Sequence, residues 1–361
     1  MRVVAVGMSS SLGPATTACA AFRAGIVRPR PSEEVATFAP GDREPQPVFV
    51  RELRGSTFGF SGVGRLVAIT LEALEDLGTR VPLDTLGREA GVFLALPGFV
   101  DGSGVAATER LGRQVLGRAL EALGVSWPEE RWRFFGGGSA GFALALDAAR
   151  QGMERGTFET CVVGGVDSRT EPGHLRYLLA ERRLKTADNP VGLVPGEAGA
   201  FVVLRSRGPK SARGATPAVD ISAVRLGHEP RHRGTDMRPD GVALSTCVQS
   251  VLGGQPSGKG DVLFVTDLNG EEVRAWEWGC ALIRLRSDGV LKGDVPFWVP
   301  ATGFGDVGAA AGAVGACIAN HAFWRRYSPA SRIVVVMQSD SGERAAFTVS
   351  SSGTPERGVR A

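Results

Sequence analysis

The sequence is poor in histidine and cysteine. Its four histidines, His174, His228, His232 and His321, leave few ways to build a histidine-based acid–base pair. The five cysteines, Cys19, Cys161, Cys247, Cys280 and Cys317, are odd in number and include no CxxC pair. That argues against a disulfide framework or a zinc site and predicts buried free thiols in a reducing compartment. No apolar run reaches the ~20 residues of a membrane span. The longest small-apolar stretch, residues 307–319, is mostly Gly and Ala. The opening residues 1–7 are apolar for too short a stretch to be a signal peptide, so a cytoplasmic protein is expected. An excess of one charge is also missing. Charged residues make up 22% and the net charge is +3, without the basic stripe of a nucleic-acid binder. Pairs such as Arg182-Arg183 and Arg325-Arg326 read as solvated faces.

What is present is a chain of 361 residues, 43% of them hydrophobic, enough for one large domain or two fused halves. Strand-like and helix-like stretches alternate, which predicts an α/β architecture. Residues 2–6, 91–96, 131–135, 160–164 and 200–204 read as strands. Residues 13–25, 107–123 and 139–153 read as helices between them. Residues 205–217, rich in Ser, Gly, Pro and Arg, form the best linker candidate. A similar order then restarts, with strands at 219–226, 262–265, 295–299, 332–337 and 345–349. Helices are expected at 243–252, 271–285 and 308–324. Two halves, 1–210 and 218–352, are expected. Residues 28–60 read as an irregular excursion.

Residues 134–141 place Gly137-x-Ser139-x-Gly141 between a strand and a helix. This fits a nucleophile elbow, where glycine frees room for a tight turn and helix N–H groups face an anion. It also fits a glycine-rich turn with Ser139 as N-cap. Residues 303–308 form a GxGxxG, but no Asp or Glu lies between Asp306 and Asp340 to serve a ribose. A dinucleotide is therefore not expected; nor is any other cofactor or metal. His228 and His232 lie in a polar loop with Arg231 and Arg233, and His321 reads as structural. His174, after a strand end, is the histidine best placed to join a site.

Several segments fall into one known order. Residues 3–7 with Leu12-Gly13 resemble the opening of the β-ketoacyl-ACP synthases, members of the thiolase superfamily. The helix from Ser139 and the strand at 161–165 resemble the helix and strand after the nucleophile. Residues 192–200 resemble the turn closing the first half, and 302–314 the segment of the second active-site histidine. The resemblance implies a thiolase-like fold: two similar βα halves in a five-layer αβαβα arrangement, usually dimeric. It places Ser139 where the nucleophilic cysteine would stand. Residues 266–270 hold no histidine. Phe304 or Asp306 occupies the second histidine position, and the lysine position falls near Val299.

A serine hydroxyl stays protonated without a base, whereas a cysteine at a helix N-terminus ionises readily. With neither histidine, nothing in the matched positions stabilises an enolate. The expectation is a non-condensing, chain-length-factor-like subunit of fatty-acid or polyketide type. It would form a homodimer, or a heterodimer with a catalytic ketosynthase, with an acyl carrier protein as a further partner. The alternative is an acyltransferase or thioesterase-type enzyme in which Ser139 accepts the acyl group. Its base would be one of Asp267, Asp306, His174 or His321. A third reading is a scaffold or binding module without acyl chemistry.

Overall fold

The computed structural model describes all residues except 39, 40, 42, 54, 99–103, 207–217, 236, 255 and 352–361. The first half contains β1 (Arg2–Ser10), α1 (Ala15–Arg23), β2 (Arg30–Thr37), β3 (Gln46–Val50), α2 (Gly62–Gly78), α3 (Leu83–Glu89), β4 (Gly91–Ala95), α4 (Gly104–Leu123), β5 (Trp132–Phe135), α5 (Gly141–Glu154), β6 (Thr160–Ser168), α6 (Pro172–Ala180) and β7 (Glu197–Arg205). The second contains β8 (Val219–His228), α7 (Val242–Leu252), β9 (Val262–Thr266), α8 (Glu272–Ser287), β10 (Phe297–Trp298), α9 (Ala301–Phe304), α10 (Ala311–Trp324), β11 (Arg332–Gln338) and β12 (Glu343–Ser351).

Ten strands form one sheet in the order β10-β9-β11-β12-β8-β1-β7-β6-β4-β5. The order hides a repetition. Read outward from the centre, β1-β7-β6-β4-β5 and β8-β12-β11-β9-β10 have the same sequence order and the same directions. In each, the first strand pairs antiparallel with the last, the last antiparallel with the fourth, and the remaining pairs are parallel. The two five-stranded groups meet where β1 pairs with β8, at Arg2↔Asp220 and Val3↔Val219. Most of the expected linker, residues 207–217, lies outside the described residues.

The layers follow from hydrophobic patterning. α1, α5 and α10 are buried between the two strand groups, which explains why α10 is almost wholly small and apolar. Phe142 of α5 packs on Phe347 of β12, ring centroids 5.8 Å apart, and ties one group to the other. Truncating a buried Phe costs about 3–5 kcal/mol. α2, α3 and α4 cover the outer face of the first group, and α7 and α8 that of the second. This is the αβαβα sandwich of the thiolase-like fold.

Two expectations need correction. Residues 28–60 are not wholly irregular, because β2 and β3 pair as an antiparallel ribbon. Val35, Val48 and Val50 pack there on Leu175 and Leu178 of α6. Arg183 is not on a solvated face; it is 6% exposed and ion-paired. The five cysteines are free and four are buried. Burial pushes the Cys19 and Cys161 thiols up to about 12, which removes them as nucleophiles.

Candidate functional site

Strand β5 ends at Phe135 and α5 starts at Gly141. Between them the chain turns through the left-handed region at Gly137 (φ 94°) and Gly138 (φ 53°), which glycine alone adopts cheaply. A single helical turn, Gly138–Ala140, then carries Ser139 to the N-terminal entrance of α5, 1% exposed. The elbow-like turn is therefore present. Ser139 is not an N-cap, however, because it lies inside this short turn, whereas a cap needs extended backbone. Its Oγ accepts a hydrogen bond from Arg274 Nη2 at 3.3 Å, the one hydrogen-bond partner of that hydroxyl among the described residues.

Arg274 stands in the first turn of α8, 4% exposed. Its Nη1 donates to Asp267 Oδ2 at 2.8 Å and to the Asp267 carbonyl at 3.1 Å. Asp267 Oδ2 also accepts from the Gln338 backbone N–H at 2.6 Å. Burial pushes the Asp267 carboxyl up to about 6, against the opposing pull of Arg274.

A second chain of charges runs from Asp306. It accepts from Asn269 Nδ2 at 2.7 Å, Arg169 Nη1 at 3.0 Å and the Gly308 N–H at 3.0 Å. Burial would raise its pKa, but Arg169 and Arg274 outweigh that and hold it at about 2. Glu271 accepts from Arg183 Nε at 2.8 Å and Asn269 Nδ2 at 2.9 Å, and pairs with Arg233. Asp167 accepts from the Ala309 N–H at 2.8 Å, and burial pushes it up to about 6.

The structure thus gathers Ser139, Asp267 and Asp306 into one buried network, but neither carboxylate touches the Ser139 hydroxyl. His174 borders the network through Arg169 and Asp306, with its Nε2 unpartnered. Burial first, and Arg169 next, hold its pKa down at about 4, so the ring is neutral near pH 7. His321 is elsewhere, bonded through Nδ1 to Tyr327 Oη at 2.9 Å. The GxGxxG also has a structural explanation. Residues 194–196 and 304–306 lie side by side, and a Cβ on Gly196 would sit 2.1 Å from the Phe304 carbonyl oxygen.

Arg274, Arg169, Arg183, Asn269, Glu271 and Asp340 escape a reading of the sequence. One signal was available. The buried face of α8 runs Arg274, Glu277, Trp278, Ala281 and Leu285, so two charges fall on the apolar stripe. Chemically, a guanidinium only donates hydrogen bonds and cannot take a proton from serine. A cavity of about 20 Å³ lined by Asp267, Asn269, Gly305, Asp306 and Met337 has room for water, not for an acyl chain. No three-residue metal-binding cluster occurs among the described residues.

The architecture is that of the ketosynthases, the thiolase-like fold. The chain is similar to the ishigamide ketosynthase/chain length factor, at 16% identity and TM-score 0.74, over 98% of this chain and 99% of that one. A structure of a type II PKS acyl-carrier protein with its hexaketide-bound ketosynthase matches at 14% identity and TM-score 0.75, over 97% and 98%. The ketosynthase from module 6 of the bacillaene synthase from Bacillus subtilis 168 matches at 14% and TM-score 0.67, over 97% and 71%. No family model and no curated protein matches the sequence. Among the described residues, no helix is long and apolar enough to cross a membrane.

Proposed function

We propose that the chain is a non-condensing partner subunit of a fatty-acid or polyketide-type synthase, comparable in role to a chain length factor. The observation that carries this reading is the Ser139 position. Its hydroxyl meets the Arg274 guanidinium rather than a base. The nearby carboxylates are already engaged with arginines, an asparagine or backbone N–H groups. A seryl nucleophile needs a base to accept its proton as the acyl bond forms, and a condensing site needs donors aimed at an enolate oxygen. Similarity to structures of a ketosynthase/chain length factor and of a ketosynthase with its carrier protein supports the choice of partner.

In this reading the halves, 1–210 and 218–352, form one scaffold that presents a surface to a cysteine-bearing ketosynthase, with an acyl carrier protein as a further partner. A homodimer is the form expected when that ketosynthase is absent. Free buried thiols suit a reducing compartment, and the cytoplasm is the proposed location. The test is co-expression with candidate cysteine-bearing ketosynthases, followed by affinity and size-exclusion chromatography. A stable one-to-one complex with one of them is the expected result. Acyl transfer by the isolated chain, abolished by Ser139→Ala, would instead establish the acyltransferase or thioesterase alternative.

A further inference from the structure

The turn between β11 and β12 places Asp340 against three guanidiniums. Asp340 Oδ2 lies 2.8 Å from Arg183 Nη2, while Oδ1 lies 3.5 Å from Arg274 Nη2 and 3.8 Å from Arg233 Nε. These arginines come from residue 183 after α6, residue 233 before α7, and α8, so the convergence is a product of the fold rather than of one helix surface. Arg183 and Arg274 are buried, whereas the Asp340 side chain is 35% exposed. Asp340 lies on a turn, outside the strands, with part of its side chain open to solvent.

A second observation points to a ligand. A cavity of about 20 Å³ adjoins this carboxylate and is lined by Arg233, Arg274, Gln338, Ser339 and Asp340. The buried Gln338 side chain has no hydrogen-bond partner at either Nε2 or Oε1, and Arg274 Nε has none either. Two residues that line the space beside the Asp340 carboxylate, Gln338 and Arg274, thus carry N–H groups without a partner. A buried donor without a partner is destabilising. A planar anion with two acceptor oxygens suits converging guanidiniums. The place also borders the Ser139 turn, since a Cβ on Gly138 would lie 2.9 Å from Ser339 Oγ.

We propose that Arg183, Arg233 and Arg274, with Gln338, form a carboxylate-binding site beside Ser139. Asp340 occupies it in the closed chain, and a carboxylate-bearing ligand takes it when the Asp340 side chain swings out. Asp340 is one of three carboxylates, with Glu271 and Asp267, that ion-pair with these guanidiniums, so its removal takes a negative charge from all three arginines. The site stands whether or not the chain pairs with a synthase.

The test is chemical rescue of Asp340→Ala, which vacates the carboxylate's place. Thermal unfolding is followed in sodium formate or acetate and, at equal ionic strength, in sodium chloride, with or without acetamide. Formate or acetate is expected to raise the melting temperature of the variant by about 2–4 °C over chloride, in the manner of a site-bound ligand. Neutral acetamide is expected to leave it unchanged. The native chain, whose own carboxylate fills the site, is expected to show no formate-specific rise. Equal effects of formate and chloride on the variant, rescue by acetamide, or an equal rise in the native chain would each overturn the proposal. Should Asp340→Ala fail to fold, Asp340→Ser vacates most of the same place and removes the charge. Formate must then stabilise it more than chloride does.

Discussion

Two buried charge clusters, one around Glu197 and one beside Ser139, are built differently. At the start of β7, Glu197 is fully buried and saturated. It accepts from the Leu53 N–H at 2.7 Å, Arg65 Nε at 2.7 Å, Ser168 Oγ at 2.8 Å, and Thr57 Oγ1, Thr170 Oγ1 and Arg65 Nη2 at 3.0 Å each. The Ser139 network holds more charges, yet leaves Arg274 Nε, Asp267 Oδ1, Gln338 Nε2 and Oε1, and His174 Nε2 without partners. A saturated cluster fixes backbone segments in place and has no bonding capacity left. An unsaturated one keeps donors and acceptors for something else. The first is scaffold. The second surrounds the Ser139 turn.

The sharpest way to break this contrast is to remove one arginine from each cluster. Arg65→Met leaves Glu197 buried and without its cation, and is expected to cost about 3–5 kcal/mol in urea unfolding. Arg274→Met is expected to cost less, about 1–3 kcal/mol. Asp267 is already pushed up to about 6 and can take a proton, and Asp340 keeps Arg183. Equal costs for the two substitutions would erase the distinction.

A smaller effect concerns pH. Asp167 and Asp267 are both raised to about 6 by burial, so each binds its proton more tightly folded than unfolded. Their contribution is favourable below the ordinary carboxylate pKa near 4 and is lost as pH rises through 6. Asp306 has the opposite sign: it stabilises above the ordinary value and loses that contribution as pH falls toward 2. His174, held down at about 4, acts against the two aspartates in this window. Between pH 4 and 6 the urea midpoint of the native chain is therefore expected to fall relative to that of Asp267→Asn, whose slope lacks the Asp267 contribution. An unchanged slope in that variant would remove Asp267 from the account.

The sequence made the fold legible because the α/β alternation restarts after residue 210 and because glycines mark the turns. Gly137 and Gly138 needed positive φ, so the strand–turn–helix around Ser139 could be placed before its structure was seen. Asp267 and Asp306 were also within reach, since they sit at positions matched to a known order of motifs. The rest was not legible for physical reasons. Arg274 is 135 residues from Ser139, and a charged residue on a helix reads by default as solvated. Arg183, beside Arg182 in the sequence, has the look of a solvated residue and is buried. The β2–β3 ribbon was hidden because its Pro and charged residues mask the Val35, Val48 and Val50 face. His321 shows the converse: a histidine near the end of a matched segment, held by Tyr327 and away from the site.

The central claim is that Ser139 is not an acyl acceptor. It is tested most directly by intact-mass measurement of the chain and of Ser139→Ala after incubation with acyl-CoA and acyl-carrier donors. The account predicts no adduct on either protein. A gain of one acyl group on the native chain that disappears in Ser139→Ala would contradict it.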